Sequence, residues 1–332
     1  MSSLKLNPDF IELNNDDGLQ IFVLPFSATL AGVIFTDSNG QPRDLVLGFD
    51  TKKEYENDNA FLGRTVGRVA NRIKNGRFEF DGKTYDMEKN NAPHHIHGGT
   101  KGISFREWEV TRKSPKSVTF NIKIDEEADG YPGDANIGVT YTVNDRNQLI
   151  IEHFATCTKS GVLALTNHAY WNLDGATTIK DHSLEVAGQY YLPVDDTCCP
   201  TGAILSVNGT DFDFRSAKRL GSIADENGEV HIDNDLVLNT GSPLPTKGLK
   251  LRSYVSGIEM DVQTSYPVLH LYGSEFLSCE GRSGQVYGKN KALAIEAQFH
   301  SASVNYNNFS DVSLRPGQHY SQEIVYSFSN FV

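Results

Sequence analysis

The chain has 332 residues, of which 42 are acidic and 30 are basic, so its formal charge is -12 with neutral histidines. This acidic balance argues against a nucleic-acid or anionic-membrane partner, because both would repel the protein. Hydrophobic residues make up 39% of the chain and charged residues 22%, an ordinary globular composition that excludes disorder over most of its length.

The N-terminal segment shows no secretory signal. Residues 1–18 lack an apolar run, and the apolar residues from Leu19 onward follow two aspartates rather than basic residues. No stretch approaches the roughly 20 apolar residues that a membrane-spanning helix needs. We therefore expect a cytoplasmic protein. The spacing of its cysteines, at positions 157, 198, 199 and 279, favours reduced thiols.

Short strands are predicted along most of the chain. Phe78 and Phe80 lead into Asp81-Gly82, a pair that favours the positive φ angles of a tight hairpin turn. Apolar and polar residues alternate over four further segments, 118–123, 137–143, 258–263 and 321–332.

Capped amphipathic helices are scarce, so the pattern predicts an all-β protein. Many short antiparallel strands bury their apolar faces only in two packed sheets or a closed barrel. The chain has no obvious linker, charge block or repeat. We therefore expect one large antiparallel β-sandwich domain over residues 1–332, with a two-domain split as the alternative.

Three polar clusters stand out, GRVANRI at 67–73, HHIHGG at 94–99 and LTNHAYWNL at 165–173. The histidines of the second cluster suggest a metal site, yet only His95 and His97 have a favourable strand spacing, and no obvious carboxylate or cysteine partner lies close in sequence. The alternatives are an exposed polar loop, or a turn at the two glycines after His97, with its imidazole used for hydrogen bonding.

Around the third cluster, alternation predicts a strand over residues 162–170. One of its faces would carry Val162, Ala164, Thr166, His168 and Tyr170. A histidine in this setting is either a buried core group or a catalytic acid, and the sequence leaves both open. The aromatic rings of Tyr170 and Trp171 suit the C–H faces of a sugar as well as they suit a core.

The segment ALAIEAQ, residues 292–298, places Ala294, Glu296 and Gln298 on one face of a strand. Burying an unpaired carboxylate is costly, so Glu296 must be paired, protonated or next to a solvated cleft. The small alanines beside it leave room for a ligand. An ion pair with an arginine such as Arg72 is an alternative that is compatible with a ligand site.

Two further polar residues interrupt apolar runs, Arg72 in ANRI and Asp233 in HIDNDLVL. Considered singly, each is interpreted as a surface ion. The acidic segment 125–136 lacks the glycine spacing of a calcium-binding loop, so it is predicted to be a loop between strands.

Ten segments together resemble the aldose 1-epimerase family, the galactose mutarotases, and they follow the family's order over nearly the whole chain. They are DLVLGFDT (44–51), GRVANRI (67–73), HGG (97–99), DGYPGDAN (129–136), TNHAYWNL (166–173), PTG (200–202), FDFR (212–215), IDNDLVL (232–238), IEAQ (295–298) and LRPGQHY (314–320). One such segment would be weak support, whereas ten collinear segments are specific.

The resemblance implies a large antiparallel β-sandwich with an open sugar-binding cleft. It also implies an isomerase that needs no cofactor and whose partner is a small-molecule sugar. No metal is expected either, because the sequence shows no convincing ligand set around His94, His95 and His97. The family's functional residues fall on six positions of this sequence: the catalytic glutamate on Glu296, two histidines on His97 and His168, the sugar-binding arginine and aspartate on Arg72 and Asp233, and a neighbouring asparagine on Asn71.

The implied reaction interconverts the α and β anomers of free aldohexoses such as galactose and glucose. A base removes the proton of the anomeric hydroxyl while an acid protonates the ring oxygen. Glu296 is expected to be the base, since a usual pKa of about 4.3 keeps it ionised at neutral pH, and His168, with a usual pKa of about 6.5, the acid. His97 would hydrogen-bond the ring oxygen, and Arg72 and Asp233 would hold the other hydroxyls.

Three other functions are consistent with parts of this pattern. They are a non-catalytic carbohydrate-binding protein on the same fold, a glycoside hydrolase with two carboxylates about 5 to 9.5 Å apart, and a hexose-phosphate epimerase relative with a basic phosphate pocket. The sequence departs from the family pattern at Tyr266, Ser274-Glu275 and Ser27. These departures bear on which sugar is preferred.

Overall fold

A computed structural model describes residues 7–175, 178–238 and 244–331 of the chain. Strands dominate these residues, which confirms the predicted all-β class. The α-helices among them are short, α1 (Lys52–Asn57) and α2 (Glu126–Asp129). No helix in this part of the chain is long and apolar enough to cross a membrane.

Short strands follow one another along the described residues, and most of them pair antiparallel with a neighbour. In chain order the strands are β1 (Ile11–Asn14), β2 (Gln20–Leu24), β3 (Thr29–Thr36), β4 (Pro42–Asp44), β5 (Thr65–Val66), β6 (Arg72–Ile73), β7 (Arg77–Phe80), β8 (Lys83–Asp86), β9 (His95–Ile96), β10 (Glu109–Lys113), β11 (Ser117–Ile124), β12 (Ala135–Asn144), β13 (Gln148–Thr156), β14 (Gly161–Val162), β15 (Thr166–Asn167), β16 (Tyr170–Trp171), β17 (Ser183–Val186), β18 (Gly188–Tyr191), β19 (Leu205–Ser206), β20 (Lys218–Arg219), β21 (Asp233–Leu238), β22 (Thr246–Arg252), β23 (Ile258–Thr264), β24 (Val268–Tyr272), β25 (Cys279–Glu280), β26 (Val286–Tyr287), β27 (Leu293–Gln298), β28 (Ser313–Leu314) and β29 (Tyr320–Asn330).

Two open antiparallel sheets pack against each other, as the predicted sandwich requires. The larger, which contains the long strands β12, β13 and β29, has the order β10-β11-β12-β13-β29-β23-β22-β17-β20. The smaller, called the site sheet below, has the order β16-β27-β24-β21-β18-β19. Trp171 of the site sheet lies against Tyr326 of the larger sheet, with ring centroids 4.6 Å apart. A further sheet of four strands, β1 to β4, is formed by the N-terminal part of the chain.

Alternation along its strands gives the site sheet a core face and an opposite face. Ile295 of β27, together with Leu269 and Leu271 of β24, belongs to the main apolar core. Successive side chains of a strand point to opposite faces. Glu296 and His270 therefore point away from that core, and the pairing of β24 with β27 places them directly opposite each other.

The hairpin predicted at Asp81-Gly82 is confirmed. Strands β7 and β8 pair on either side of these two residues, which have φ angles of 48° and 74°. Phe78 and Tyr85 are cross-strand partners in this hairpin, with stacked rings 5.5 Å apart.

Two local predictions are wrong. Residues 162–170 do not form one continuous strand, because the backbone there changes partners every few residues, pairing through β14 with β28, through β15 with β5 and through β16 with β27. The segment 125–136 is not only a loop, because it begins with the helical turn α2. The side chain of Asp125 caps this turn by accepting a hydrogen bond from the Ala128 N–H.

Candidate active site

A cleft of about 760 Å³ opens on the face of the site sheet that points away from the core. Its lining includes all six residues singled out in the sequence: Asn71, Arg72, His97, His168, Asp233 and Glu296. The fold thus brings side chains from distant segments of the chain into one cavity.

Glu296 lies on β27 in the floor of the cleft, and only 1% of its surface is exposed. Its Oε1 atom is 3.4 Å from His168 Nε2, while Oε2 has no hydrogen-bond partner among the described residues. Burial raises the pKa of Glu296 to about 8, although the positive charges of His270 and Arg72 oppose the rise. The expected ordinary pKa is therefore wrong, because the carboxyl group is desolvated.

His168 lies between β15 and β16, where its backbone N–H donates to the Arg64 carbonyl at 2.9 Å. Its ring packs beside Tyr170 and Phe61, at centroid distances of 4.9 and 6.3 Å. Burial lowers the pKa of His168 to about 3, far below the usual value expected for it. This histidine is as buried as a core residue and yet lines the cleft.

His97 lies at a backbone turn, with a φ of 52° that continues through positive φ angles at Gly98 and Gly99. A side chain at Gly98 would come within 1.8 Å of the Gly67 carbonyl oxygen, so the turn requires glycine. The Nδ1 atom of His97 accepts a hydrogen bond from the Asn71 N–H at 3.3 Å. Burial holds the pKa of His97 well below 6.5, so the ring is neutral and its hydrogen resides on Nε2.

The two preceding histidines point to other surroundings. The ring of His94 contacts the Thr197 hydroxyl at 2.7 Å, and that of His95 lies between the Glu88 carbonyl and the Tyr131 hydroxyl, both at 2.7 Å. The described residues contain no group of three or more His, Cys, Asp or Glu side chains placed to hold a metal ion. All three rings of the histidine cluster make hydrogen bonds within the fold.

Arg72 and Asp233 form one wall of the cleft. Their closest atoms, Nη2 and Oδ2, are 3.6 Å apart, and the Arg72 Nε–H donates to the Asn91 side chain at 3.3 Å. The side chains are only 10% and 14% exposed, so the interpretation of each as a surface ion is wrong. Arg72, at the start of β6, pairs with Asp233, at the start of β21, and not with Glu296.

Asn71 connects the segments that carry Arg72 and His97 by hydrogen bonds. It adopts a φ of 60°, and its side-chain oxygen accepts the Arg72 N–H at 2.7 Å. Its carbonyl accepts the His97 N–H at 3.1 Å. These bonds hold the segments that carry Arg72 and His97 side by side.

His270 is a cleft residue that the sequence analysis missed. Its Nδ1 is 2.8 Å from Asp235 Oδ1, and its Nε2 is 3.0 Å from Asp233 Oδ1. Burial alone would lower the pKa of His270, but its hydrogen bonds to the two aspartates raise it to about 10. The signal in the sequence was a lone polar residue in the apolar strand VLHLY.

Aromatic side chains complete the cleft. Phe61 lies beside both catalytic candidates among the histidines, 4.8 Å from the His97 ring by centroid. At the rim, Phe276 is 71% exposed and stacks on Tyr272. Of the two aromatic residues suggested for sugar contact, Tyr170 lines the cleft, whereas Trp171 belongs to the core.

The departures from the family pattern lie outside the cleft lining that the described residues form. The Tyr266 hydroxyl contacts His153 Nδ1 at 2.9 Å in the core. Glu275 pairs with His231 at 2.8 Å, and the Ser27 hydroxyl donates to the Thr65 carbonyl. These substitutions therefore act on the surroundings of the site and not on its surface.

Sequence comparison connects this geometry with known enzymes. The profile of the aldose 1-epimerase family matches residues 9–327. The aldose 1-epimerase of Escherichia coli strain K12 is 32% identical over 326 residues, which cover 96% of this chain and 94% of that protein. The galactose mutarotase of Sus scrofa is 33% identical over 317 residues, which cover 94% of this chain and 92% of that protein.

Solved structures agree. An aldose epimerase homologue from C. elegans superposes with a TM-score of 0.94 at 58% identity, covering 97% of this chain and 99% of that one. The galactose 1-epimerase of Lactobacillus acidophilus NCFM superposes with a TM-score of 0.83 at 26% identity, covering 97% and 95%. Sequence and fold match over nearly the full length, and we conclude that this chain belongs to the aldose 1-epimerase family of isomerases.

Proposed function

We propose that this aldose 1-epimerase acts on free aldohexoses such as galactose and glucose, with Glu296 and His168 as its proton-transfer pair. In ring opening, Glu296 removes the proton of the anomeric hydroxyl and His168 protonates the ring oxygen. Rotation about the bond between the first two carbons, followed by closure with the roles reversed, inverts the anomeric centre. The observation that carries this assignment is the 3.4 Å contact between His168 Nε2 and Glu296 Oε1 inside the cleft.

The pair holds one proton near neutral pH. Burial favours the uncharged arrangement, in which glutamic acid lies beside neutral imidazole. Transfer of that proton from Glu296 to His168 gives the reactive arrangement, a carboxylate beside an imidazolium. The titration belongs to the pair, since both arrangements hold one proton. The value of kcat/KM is therefore expected to fall as the pH rises through about 8, where the pair loses its proton.

The other predicted residues bind and orient the sugar. His97 offers an uncharged N–H donor to the ring oxygen. Arg72 and Asp233 offer a donor and an acceptor to the remaining hydroxyls, and each hydrogen bond to a charged group contributes about 1.5 to 3 kcal/mol. Asn71 can add its side-chain NH₂ group as a donor, since its side-chain oxygen is already used by the Arg72 N–H.

The charge of the cleft favours an unphosphorylated sugar. Arg72 is the one arginine among the described residues that line the cleft, which include no lysine, and Asp233 offsets its charge. We also propose that residues 1–332 form a single domain, because core residues from Leu13 to Phe328 belong to one apolar cluster.

Polarimetry of fresh α-galactose and α-glucose, with xylose and glucose 6-phosphate for comparison, tests the function. Glu296→Gln is expected to lower kcat by about 100-fold or more, because loss of a general base typically costs 10² to 10⁴ in rate. The KM should change little, since the amide keeps the shape of the side chain. Glu323→Gln is the matched control, because Glu323 is a half-buried carboxyl on β29 whose pKa burial also raises.

Near-normal kcat in Glu296→Gln would remove this residue from the base role. Release of monosaccharide from a disaccharide would instead indicate glycoside hydrolysis. Sugar binding by the unmodified chain without any acceleration of mutarotation would indicate a carbohydrate-binding protein.

A further inference from the structure

His270 bridges two carboxylates in the floor of the cleft. Its two ring nitrogens lie 2.8 Å from Asp235 and 3.0 Å from Asp233. An ionised carboxylate only accepts hydrogen bonds, and a neutral imidazole can donate only one. A ring that donates to two carboxylates must therefore be an imidazolium.

Asp235 is an anchor for this ring. It is 2% exposed and also accepts hydrogen bonds from Ser301, from the backbone N–H at 2.7 Å and from the hydroxyl at 2.8 Å. The Ser301 hydroxyl in turn accepts the Gln298 amide at 2.9 Å. Asp235 thus accepts the hydrogen bonds from both His270 and Ser301, as expected of an ionised carboxylate.

The strand register places this cation next to the proposed base. Asp235, His270 and Glu296 form one row across β21, β24 and β27, because Asp235 pairs with His270 and His270 pairs with Glu296. Cross-strand partners have Cβ atoms about 4.5 to 5.5 Å apart on the same face. The charged and titratable groups around His270 are Asp233 and Asp235 of β21, Glu296 of β27, and Arg72, His97 and His168 of the cleft wall.

We propose that His270 is a positioning residue: its imidazolium ring fixes Asp233 for a sugar hydroxyl and supplies the positive charge that stabilises the reactive carboxylate of Glu296. This inference rests on the proposed role of Glu296. The buried Asp235 balances the charge of His270. Removing either partner alone therefore leaves one uncompensated charge beside Glu296, whereas removing both leaves none.

The electrostatics of neighbouring groups agree with this geometry. Burial would raise the pKa of Asp233, but its hydrogen bond to His270 and the charges of His270 and Arg72 hold that pKa below its usual value. The charge of His270 likewise opposes the burial that raises the pKa of Glu296. Asp233 is thereby kept ionised as an acceptor.

Three variants test the proposal: His270→Gln, Asp235→Asn and the double variant. The readouts are the pH dependence of kcat/KM, measured above the uncatalysed background, and the infrared band of the buried carboxylic acid, assigned by its loss in Glu296→Gln. An opposite charge nearby typically changes a carboxyl pKa by about 1 to 3. We therefore expect the alkaline limb and the infrared titration to move up by about one pH unit or more in His270→Gln, and down in Asp235→Asn.

The double variant should return both titrations towards those of the unmodified chain, because it removes a positive and a negative charge together. The plateau of kcat/KM in His270→Gln should fall by up to about tenfold for each pH unit by which its alkaline limb moves. If His270→Gln does not fold, Asp235→Asn still tests the charge balance, because its alkaline limb is expected to move down.

The inference would be overturned if the pH dependence of kcat/KM and the infrared titration were the same in all three variants as in the unmodified chain. It would also be overturned if the alkaline limb moved in the same direction in both single variants. Loss of thermal stability with unchanged titrations would give His270 a merely structural role and would equally overturn it. These outcomes are distinct from failure of the proposed function, in which Glu296→Gln itself would keep near-normal kcat.

Discussion

Replacing His168 with asparagine separates a catalytic histidine from a core histidine. The imidazole loses a contact of 3.4 Å to Glu296, which is longer than a good hydrogen bond, and its Nδ1 has no partner among the described residues. Few stabilising polar interactions are therefore lost. We expect kcat to fall by about 100-fold or more, because protonation of the ring oxygen would then depend on water.

The expected loss of stability is small by comparison. A weak polar contact and part of the packing between Phe61 and Tyr170 together amount to about 1 to 2 kcal/mol of unfolding free energy. In a chain of this size that lowers Tm by only a few degrees. A 100-fold fall in kcat corresponds to about 2.7 kcal/mol of activation free energy. The effect on the reaction should thus exceed the effect on folding.

The chain provides a matched control in His153. It is fully buried on β13, and its Nδ1 contacts the Tyr266 hydroxyl at 2.9 Å in the core. His153→Asn should destabilise the protein by about 1 to 3 kcal/mol, because it disturbs a buried hydrogen bond. Its folded fraction should keep full turnover, since His153 is not part of the cleft lining.

Thermal unfolding and polarimetric rate, measured on the same preparation of each variant, compare the two histidines. If His168→Asn behaved like His153→Asn, unstable but fully active when folded, His168 would have to be a core group and not the acid.

Three further results are expected. Arg72→Lys should raise KM about tenfold, because lysine lacks the forked guanidinium that can bind the sugar while its Nε–H donates to Asn91. A tenfold rise corresponds to about 1.4 kcal/mol of binding free energy. An unchanged KM by polarimetry would mean that Arg72 does not bind the sugar. Gly98→Ala should lower Tm much more than Gly82→Ala, because both have positive φ angles but only the first meets a carbonyl, that of Gly67 at 1.8 Å; equal Tm values would contradict this. Prolonged dialysis against a strong chelator should leave turnover unchanged, since the described residues contain no group of three or more His, Cys, Asp or Glu side chains placed to hold a metal ion. Loss of activity that a divalent ion restores would refute this.

Local pattern was sufficient for the strands and for the candidate glutamate. Alternation depends only on neighbouring residues, so it located the strands around Phe120, Val139 and Met260. It also placed Glu296 and Ile295 on opposite faces of the same strand. The hairpin at Asp81 followed from backbone preferences of the same local kind.

Partnerships between distant residues could not be obtained in this way. Arg72 pairs with Asp233 and not with Glu296 because of how the fold arranges these three distant residues around the cleft, and no local pattern contains that information. The unusual pKa values of Glu296 and His168 arise from burial by the whole fold. His270 was missed because its charge and its place in the site depend on two carboxylates of the neighbouring strand β21.

Strand β27 has one face in the apolar core and the other in the cleft, so its correct pairing affects both folding and activity. A slip of one residue in its pairing with β24 would turn Ile295 into the cleft and Glu296 into the apolar core. Such a molecule would lose its proposed base from the cleft and gain a buried carboxyl group without a partner in the core. The specific activity of a refolded preparation therefore reports the fraction of molecules with native strand pairing, so polarimetry can serve as a quality assay for this sheet.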